Sequence, residues 1–102
     1  MRYEILFAPQ AEDDLLTLRA NERSEVLEAI ETHLRYEPEK VSRSRIKQLE
    51  GIEWPQYRLR IGEIRAFYDV FYVREGGVVE ILVIREKTEA MKWLAGYGRK
   101  MG

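Results

Sequence analysis

The chain has 102 residues, 45% of them apolar, and a formal net charge of −1. That is enough apolar material for a folded core and too much for disorder, and no run reaches the ~18 residues of a membrane span. It contains no cysteine, which excludes disulfides, thiol nucleophiles and thiolate zinc sites, and its single histidine, His33, argues against a histidine-based metal site or a Ser-His-Asp triad.

The N-terminus lacks the charged-then-apolar pattern of a secretory signal, so a cytoplasmic protein with no membrane partner is expected. Residues 1–102 are read as one domain. The net charge hides a division. Residues 1–39 carry four arginines against ten carboxylates, a balance of −6, and residues 40–102 carry thirteen basic against eight acidic residues, a balance of +5. Such a split gives a directional field suited to steering a polyanion.

In chain order, Arg2 to Phe7 predicts a first strand, with Tyr3, Ile5 and Phe7 on one face. Pro9 suits the first turn of a helix, along which Ala11, Leu15 and Leu18 form a stripe. Asn21 is expected to cap a second helix with Val26, Ile30 and Leu34 buried, Leu27 alongside, and Pro38 after its end. The acidic residues of both helices are expected to be solvated, and His33 to be a packing residue. From Lys40 to Pro55 periodicity fades, although Arg43, Arg45 and Lys47 keep this stretch basic. Three strands then follow at about 56–61, 64–73 and 78–86, with turns at Gly62-Glu63 and Gly76-Gly77. Thr88 is expected to cap a last helix containing Met91 and Leu94. The reading is an α+β fold of order β-α-α-β-β-β-α. Its twisted sheet is mainly antiparallel, and a two-helix hairpin packs on one face.

The stretch Tyr57-Arg-Leu-Arg-Ile-Gly-Glu-Ile-Arg65 carries the chemistry. In an extended strand Arg58 and Arg60 share one face while Leu59 and Ile61 take the other, and a tight turn returns Arg65 beside them. Guanidinium forks match phosphate oxygens two at a time, so phosphate is the natural counter-ion. Lys87, at the end of the last strand, is expected to reach the same open face, with Trp93 and Tyr97 nearby. Cations beside aromatic rings suit single-stranded RNA, for binding or for phosphodiester transfer. The competing reading pairs Arg58 and Arg60 with Glu50, Glu53 or Glu63, and Arg65 with Asp69, in ordinary ion pairs. Trp54 is read as a loop anchor, and Trp93 either as a base-stacking ring or as a residue buried against the sheet.

Lys47-x-Leu49-x-Gly51, Tyr57-Arg-Leu-Arg-x-Gly-x-x-Arg65-x-x-Tyr68 and the strand Val78-Val-Glu-Ile-Leu-Val-Ile84 before Lys87 resemble RelE/ParE-superfamily toxins over nearly the whole chain. The resemblance implies the toxin of a toxin–antitoxin module, and in the RelE-like branch a ribosome-associated mRNA endonuclease acting by 2′-OH attack without metal or cofactor. The alternatives it implies are a ParE-like DNA gyrase inhibitor acting by protein binding and a non-catalytic RNA- or antitoxin-binding member. Implied partners are a cognate antitoxin, mRNA and the ribosomal A site, with operator DNA reached only through the antitoxin. By the same resemblance Arg58, Arg60, Arg65 and Lys87 bind and stabilise the reacting phosphate. Arginine keeps its proton, so the base falls to Lys87, Glu53 or Glu50. Arg43, Arg45, Lys47, Trp93 and Tyr97 complete the expected RNA-binding set.

Overall fold

A computed structural model describes residues 1–102. The elements in order are β1 (Glu4–Phe7), α1 (Pro9–Thr17), α2 (Ala20–Leu34), β2 (Ile46–Gln48), β3 (Ile52–Trp54), β4 (Tyr57–Ile61), β5 (Ile64–Val73), β6 (Gly76–Glu86), α3 (Lys87–Tyr97) and β7 (Arg99–Lys100). A five-stranded sheet runs β1-β6-β5-β4-β2, and β3 and β7 form a separate two-stranded ribbon. Only the β1–β6 pair is parallel, so the expected α+β fold with a mainly antiparallel sheet is what forms. No helix is long and apolar enough to cross a membrane.

Two helices bury one face of the sheet. Ala11 from α1 and Val26, Ile30 and Leu34 from α2 meet Leu59, Ile61, Ala66, Tyr68, Val79 and Ile81 in the main core. These positions follow the helical stripes and the alternation of β4 and β5. Leu27 lies outside the stripe and is exposed. The opposite face is less open than expected, because α3 crosses it and packs Ala90 against Phe67 and Val83, with Leu49, Trp93 and Leu94 beside them.

Local chemistry corrects several boundaries. β2 and β3 occupy the stretch expected to be irregular, since three residues are too few to display a period of two. The helix α2 begins before Asn21. Arg19 is its N-cap, and the Arg19 N–H donates to Glu22 Oε1 at 3.2 Å, half of a capping box. Similarly, Lys87 does not end a strand and Thr88 is no cap, because α3 starts at Lys87 after Glu86. The Lys87 N–H is satisfied by the Glu63 carbonyl at 2.8 Å, which ties the helix start to the β4–β5 turn. Gly62 occupies that turn at φ +56°, as its position in the sequence predicts. The Gly76-Gly77 pair opens β6 instead of forming the turn, and Gly77 lies so close under the Tyr3 ring that a Cβ there has no room.

Tyr68 and Asp14 carry buried polar groups, and Asp14 departs from the solvated expectation for the helices' acidic residues. Tyr68 is fully buried, and its hydroxyl donates to the Pro38 carbonyl at 2.6 Å, anchoring the chain after α2. Burial pushes the Tyr68 pKa far above the usual phenol range, so the hydroxyl stays a donor. Asp14, on α1, is also buried. It accepts from the Ile84 N–H at 3.0 Å and the Arg85 Nε at 3.3 Å.

Candidate nucleic-acid interface

The strand β4 buries Tyr57, Leu59 and Ile61 toward the helices, which turns Arg58 and Arg60 to the opposite face. Register sets their neighbours. Arg60 lies opposite Arg65, and Arg65 lies opposite Arg85, so three arginines form one row across three strands. One row along, Lys47 lies opposite Arg58, which lies opposite Phe67. Like charges directly opposite one another destabilise a sheet, so the arrangement costs stability unless a counter-ion arrives.

No carboxylate of the chain pairs with Arg58, Arg60 or Arg65. The five ion pairs of the molecule include none of Arg58, Arg60 and Arg65, and Arg85 is the row's sole paired member, held by Asp14. Asp69 is occupied elsewhere, accepting from the Gln56 N–H at 2.8 Å. Arg65 is only 6% exposed, and its Nη1 donates to the carbonyls of Gly62 at 2.7 Å and Ile64 at 3.0 Å. Those bonds lock the side chain to its own turn. Arg58 is half-buried, and its Nε is buried with no hydrogen-bond partner. Burial, then the charges of Arg65 and Arg60, hold Arg58 below the usual arginine range, while the guanidinium still stays charged at neutral pH.

Arg58 opens into a cleft of about 840 Å³ whose lining includes Arg43, Lys47, Glu50, Leu49, Phe67 and Met91. Its walls come from the segment before β2, the β2–β3 loop, β4, β5 and α3. Cations with an unfilled donor, set beside apolar surface, suit a phosphate attached to a flat, weakly polar group.

No family model matches the sequence, and no curated protein matches it. Solved structures do. A chain of the archaeal RelE–RelB complex from Pyrococcus horikoshii OT3 is 26% identical with a TM-score of 0.65, over 85% of this chain and 97% of that one. The toxin–antitoxin complex RelBE2 from Mycobacterium tuberculosis matches at 25% identity and a TM-score of 0.60, over 84% and 99%. The chain belongs to the RelE/ParE superfamily of toxins. A YoeB/ParE toxin from Agrobacterium tumefaciens, at 17% identity and a TM-score of 0.63 over 81% and 97%, shares its fold.

This RelE/ParE member brings together part of the residue set singled out in its sequence. Arg43, Lys47 and Arg58 share the cleft, and Arg60 and Arg65 adjoin it by register. Lys87 is exposed at the start of α3, four residues before Met91 and so on the same helical face. Arg45 is not part of the group. Its Nη1 donates to the Arg60 carbonyl at 3.2 Å, and its charge acts on His33 of α2, whose pKa is lowered by burial and then by Arg45. Glu53 lies exposed on the β3–β7 ribbon, whereas Glu50 is the carboxylate in the cleft lining. Trp93 is half-buried, with its ring 5.9 Å from Phe67, 5.6 Å from Trp54 and 5.7 Å from Tyr97. Those contacts make Trp93 the anchor of α3. Tyr97 is exposed against it, on the side of Ala8 and Pro9, away from Arg58.

Arg85 is the cation that sequence reasoning missed. Between Phe67–Val83 and Tyr68–Ile81 the β5–β6 register slips by one residue. This bulge puts Val83 and Arg85 on the α3 face although Val79 and Ile81 face the main core. Simple alternation along the strand puts Arg85 on the same side as Lys87 but places Val79 and Ile81 there as well, and the bulge separates the two sets.

Proposed function

We propose that this toxin cuts translated mRNA on the ribosome, and that its antitoxin works by covering the cations of β4 and β5. The reading rests on one observation: Arg58, Arg60 and Arg65 share a sheet face with no carboxylate partner, and Arg58 Nε is unsatisfied. In the proposed step the 2′ oxygen of one nucleotide bonds to the adjoining phosphorus, and the bond from phosphorus to the 5′ oxygen of the next nucleotide breaks. The 2′-OH proton goes to a base, and the leaving oxygen takes a proton. The products are a 2′,3′-cyclic phosphate and a 5′-OH end. Arg58 and Arg65 stabilise the negative charge that builds on the phosphorane oxygens, with Arg60 and Arg85 next to them in the row. Glu50 is assigned as base, because arginine holds its proton and Glu50 lines the cleft.

Mapping transcript ends after brief induction tests this directly. The expected result is breaks within translated codons, ending in cyclic phosphate, with Glu50→Gln reducing them by about 100-fold or more. Intact transcripts together with DNA-damage signalling overturn the reading and favour gyrase inhibition. For the partner, two of the solved relatives are toxin–antitoxin complexes. The +5 balance of residues 40–102 calls for an acidic antitoxin segment. The toxin–antitoxin affinity is expected to fall as salt rises from 0.05 to about 0.5 M. A salt-independent affinity contradicts that assignment.

A further inference from the structure

After α3 the chain turns back along the β2–β3 loop. Lys100 pairs with Ile52 and Arg99 with Trp54. The Met101 N–H donates to the Gly51 carbonyl at 3.0 Å, and the Arg99 guanidinium sits 5.5 Å from the centre of the Trp54 ring. These contacts carry Met101 to the wall of the cleft that holds Arg58, and Met91 of α3 lines the same cleft. Neither methionine belongs to a core cluster, and they are 49% and 64% exposed for Met91 and Met101 respectively. Two large apolar side chains are thus left open beside three cations, outside the packed core.

The cleft is therefore divided in chemistry as a nucleotide is, with cations for a phosphate and soft apolar groups for a flat ring. Methionine sulfur makes favourable contacts with aromatic faces, and its flexible side chain adapts to different rings. The cleft volume of about 840 Å³ falls in the range of small-ligand sites. We infer that Met91 and Met101 form a base subsite in this cleft, completed by the C-terminal segment Arg99–Met101, with Arg58 and Lys47 taking the phosphate of the same nucleotide. The inference rests on the RNA reading above and narrows it. The base is held by methionine side chains and not by Trp93 or Tyr97, and purines and pyrimidines bind with little preference.

The test uses the full-length protein and a fluorescent 2′-O-methyl hexanucleotide, which binds without offering a 2′-OH for attack. The double variant Met91→Ser/Met101→Ser is expected to bind it about tenfold more weakly. A chain ending at Gly98 should lose at least the Met101 share of that, about threefold. Leu16→Ser, an exposed change on α1, leaves binding unchanged. In competition, adenosine 5′-monophosphate should displace the hexamer about tenfold better than ribose 5-phosphate does, and the double variant should erase the difference. If the shortened chain melts early, the serine variants carry the test. Wild-type affinity in the double variant, with binding lost in Arg58→Ala, overturns the base subsite and leaves the RNA reading standing. Equal competition by the two phosphates also overturns it. A wild-type protein that binds no hexamer removes the RNA reading and this inference together.

Discussion

Replacing Arg58 with alanine is expected to lower mRNA cleavage by about 100-fold or more while leaving the melting temperature unchanged or slightly raised. The loss follows from removing one preorganised cation from a developing phosphorane charge, which costs about 10²–10³ in rate at comparable sites. The stability side follows from what Arg58 lacks. Its Nε is buried without an acceptor, its neighbours Arg60 and Arg65 repel it, and no carboxylate offsets either penalty. Alanine removes both penalties, against the packing lost with the arginine's aliphatic stem. An arginine retained for the fold behaves in the opposite way, since its removal orphans a partner. Arg58→Lys keeps a charge but not the fork, and belongs between wild type and alanine in cleavage. Measuring cleavage and thermal melting on the same preparations decides the matter. A melting point lowered by about 10 °C, or full cleavage by the alanine variant, contradicts the assignment.

The parts of this molecule legible in its sequence are those set by short-range periodicity. Arg58 and Arg60 alternate with Leu59 and Ile61 over five residues, and Gly62 marks the return to Arg65, so local spacing alone places three cations on one face. The stripe Val26, Ile30, Leu34 is legible for the same reason. What was hidden depends on contacts between distant segments. The β5–β6 bulge that turns Arg85 toward the cation row cannot be seen from β6 alone. The start of α3 is set by a carbonyl in the β4–β5 turn and not by a capping side chain, which is why Thr88 misled and Lys87 moved into the helix. Met91 and Met101 meet at one cleft only because a two-residue strand at the chain's end pairs with β3. Trp93 is open to two roles from the sequence, and contacts with Phe67 and Trp54, 26 and 39 positions earlier in the chain, decide between them.

Asp14→Ala is expected to be the most destabilising single change among the polar residues of α1, lowering stability by about 2–3 kcal/mol and the melting temperature by roughly 10–20 °C. The reason lies at the edge of the sheet. The strand β1 pairs with β6 only from Val78 to Ile81, and the Ala8 N–H takes the last carbonyl, that of Ile81, at 2.9 Å. Beyond that point β6 keeps β5 on one side but has no strand on its β1 side, and the Ile84 N–H is buried. Asp14 supplies the missing acceptor at 3.0 Å, and the same oxygen receives the Arg85 Nε at 3.3 Å. Gln10 completes the site, donating to the other carboxylate oxygen at 3.1 Å. Alanine leaves a buried backbone donor and a part-buried guanidinium without partners. Asparagine keeps an acceptor for Ile84, loses the charge opposite Arg85, and turns an NH2 group toward Gln10, whose amide must flip to restore that bond. Asp14→Asn should therefore cost about 1 kcal/mol. It also frees Arg85 from its carboxylate within the arginine row, so cleavage by Asp14→Asn is expected to change by more than its stability does. Urea unfolding of the two variants beside wild type separates these effects. Equal stability of Asp14→Ala and wild type means that the β6 edge is satisfied by some other group, and the account of how α1 fixes Arg85 fails with it.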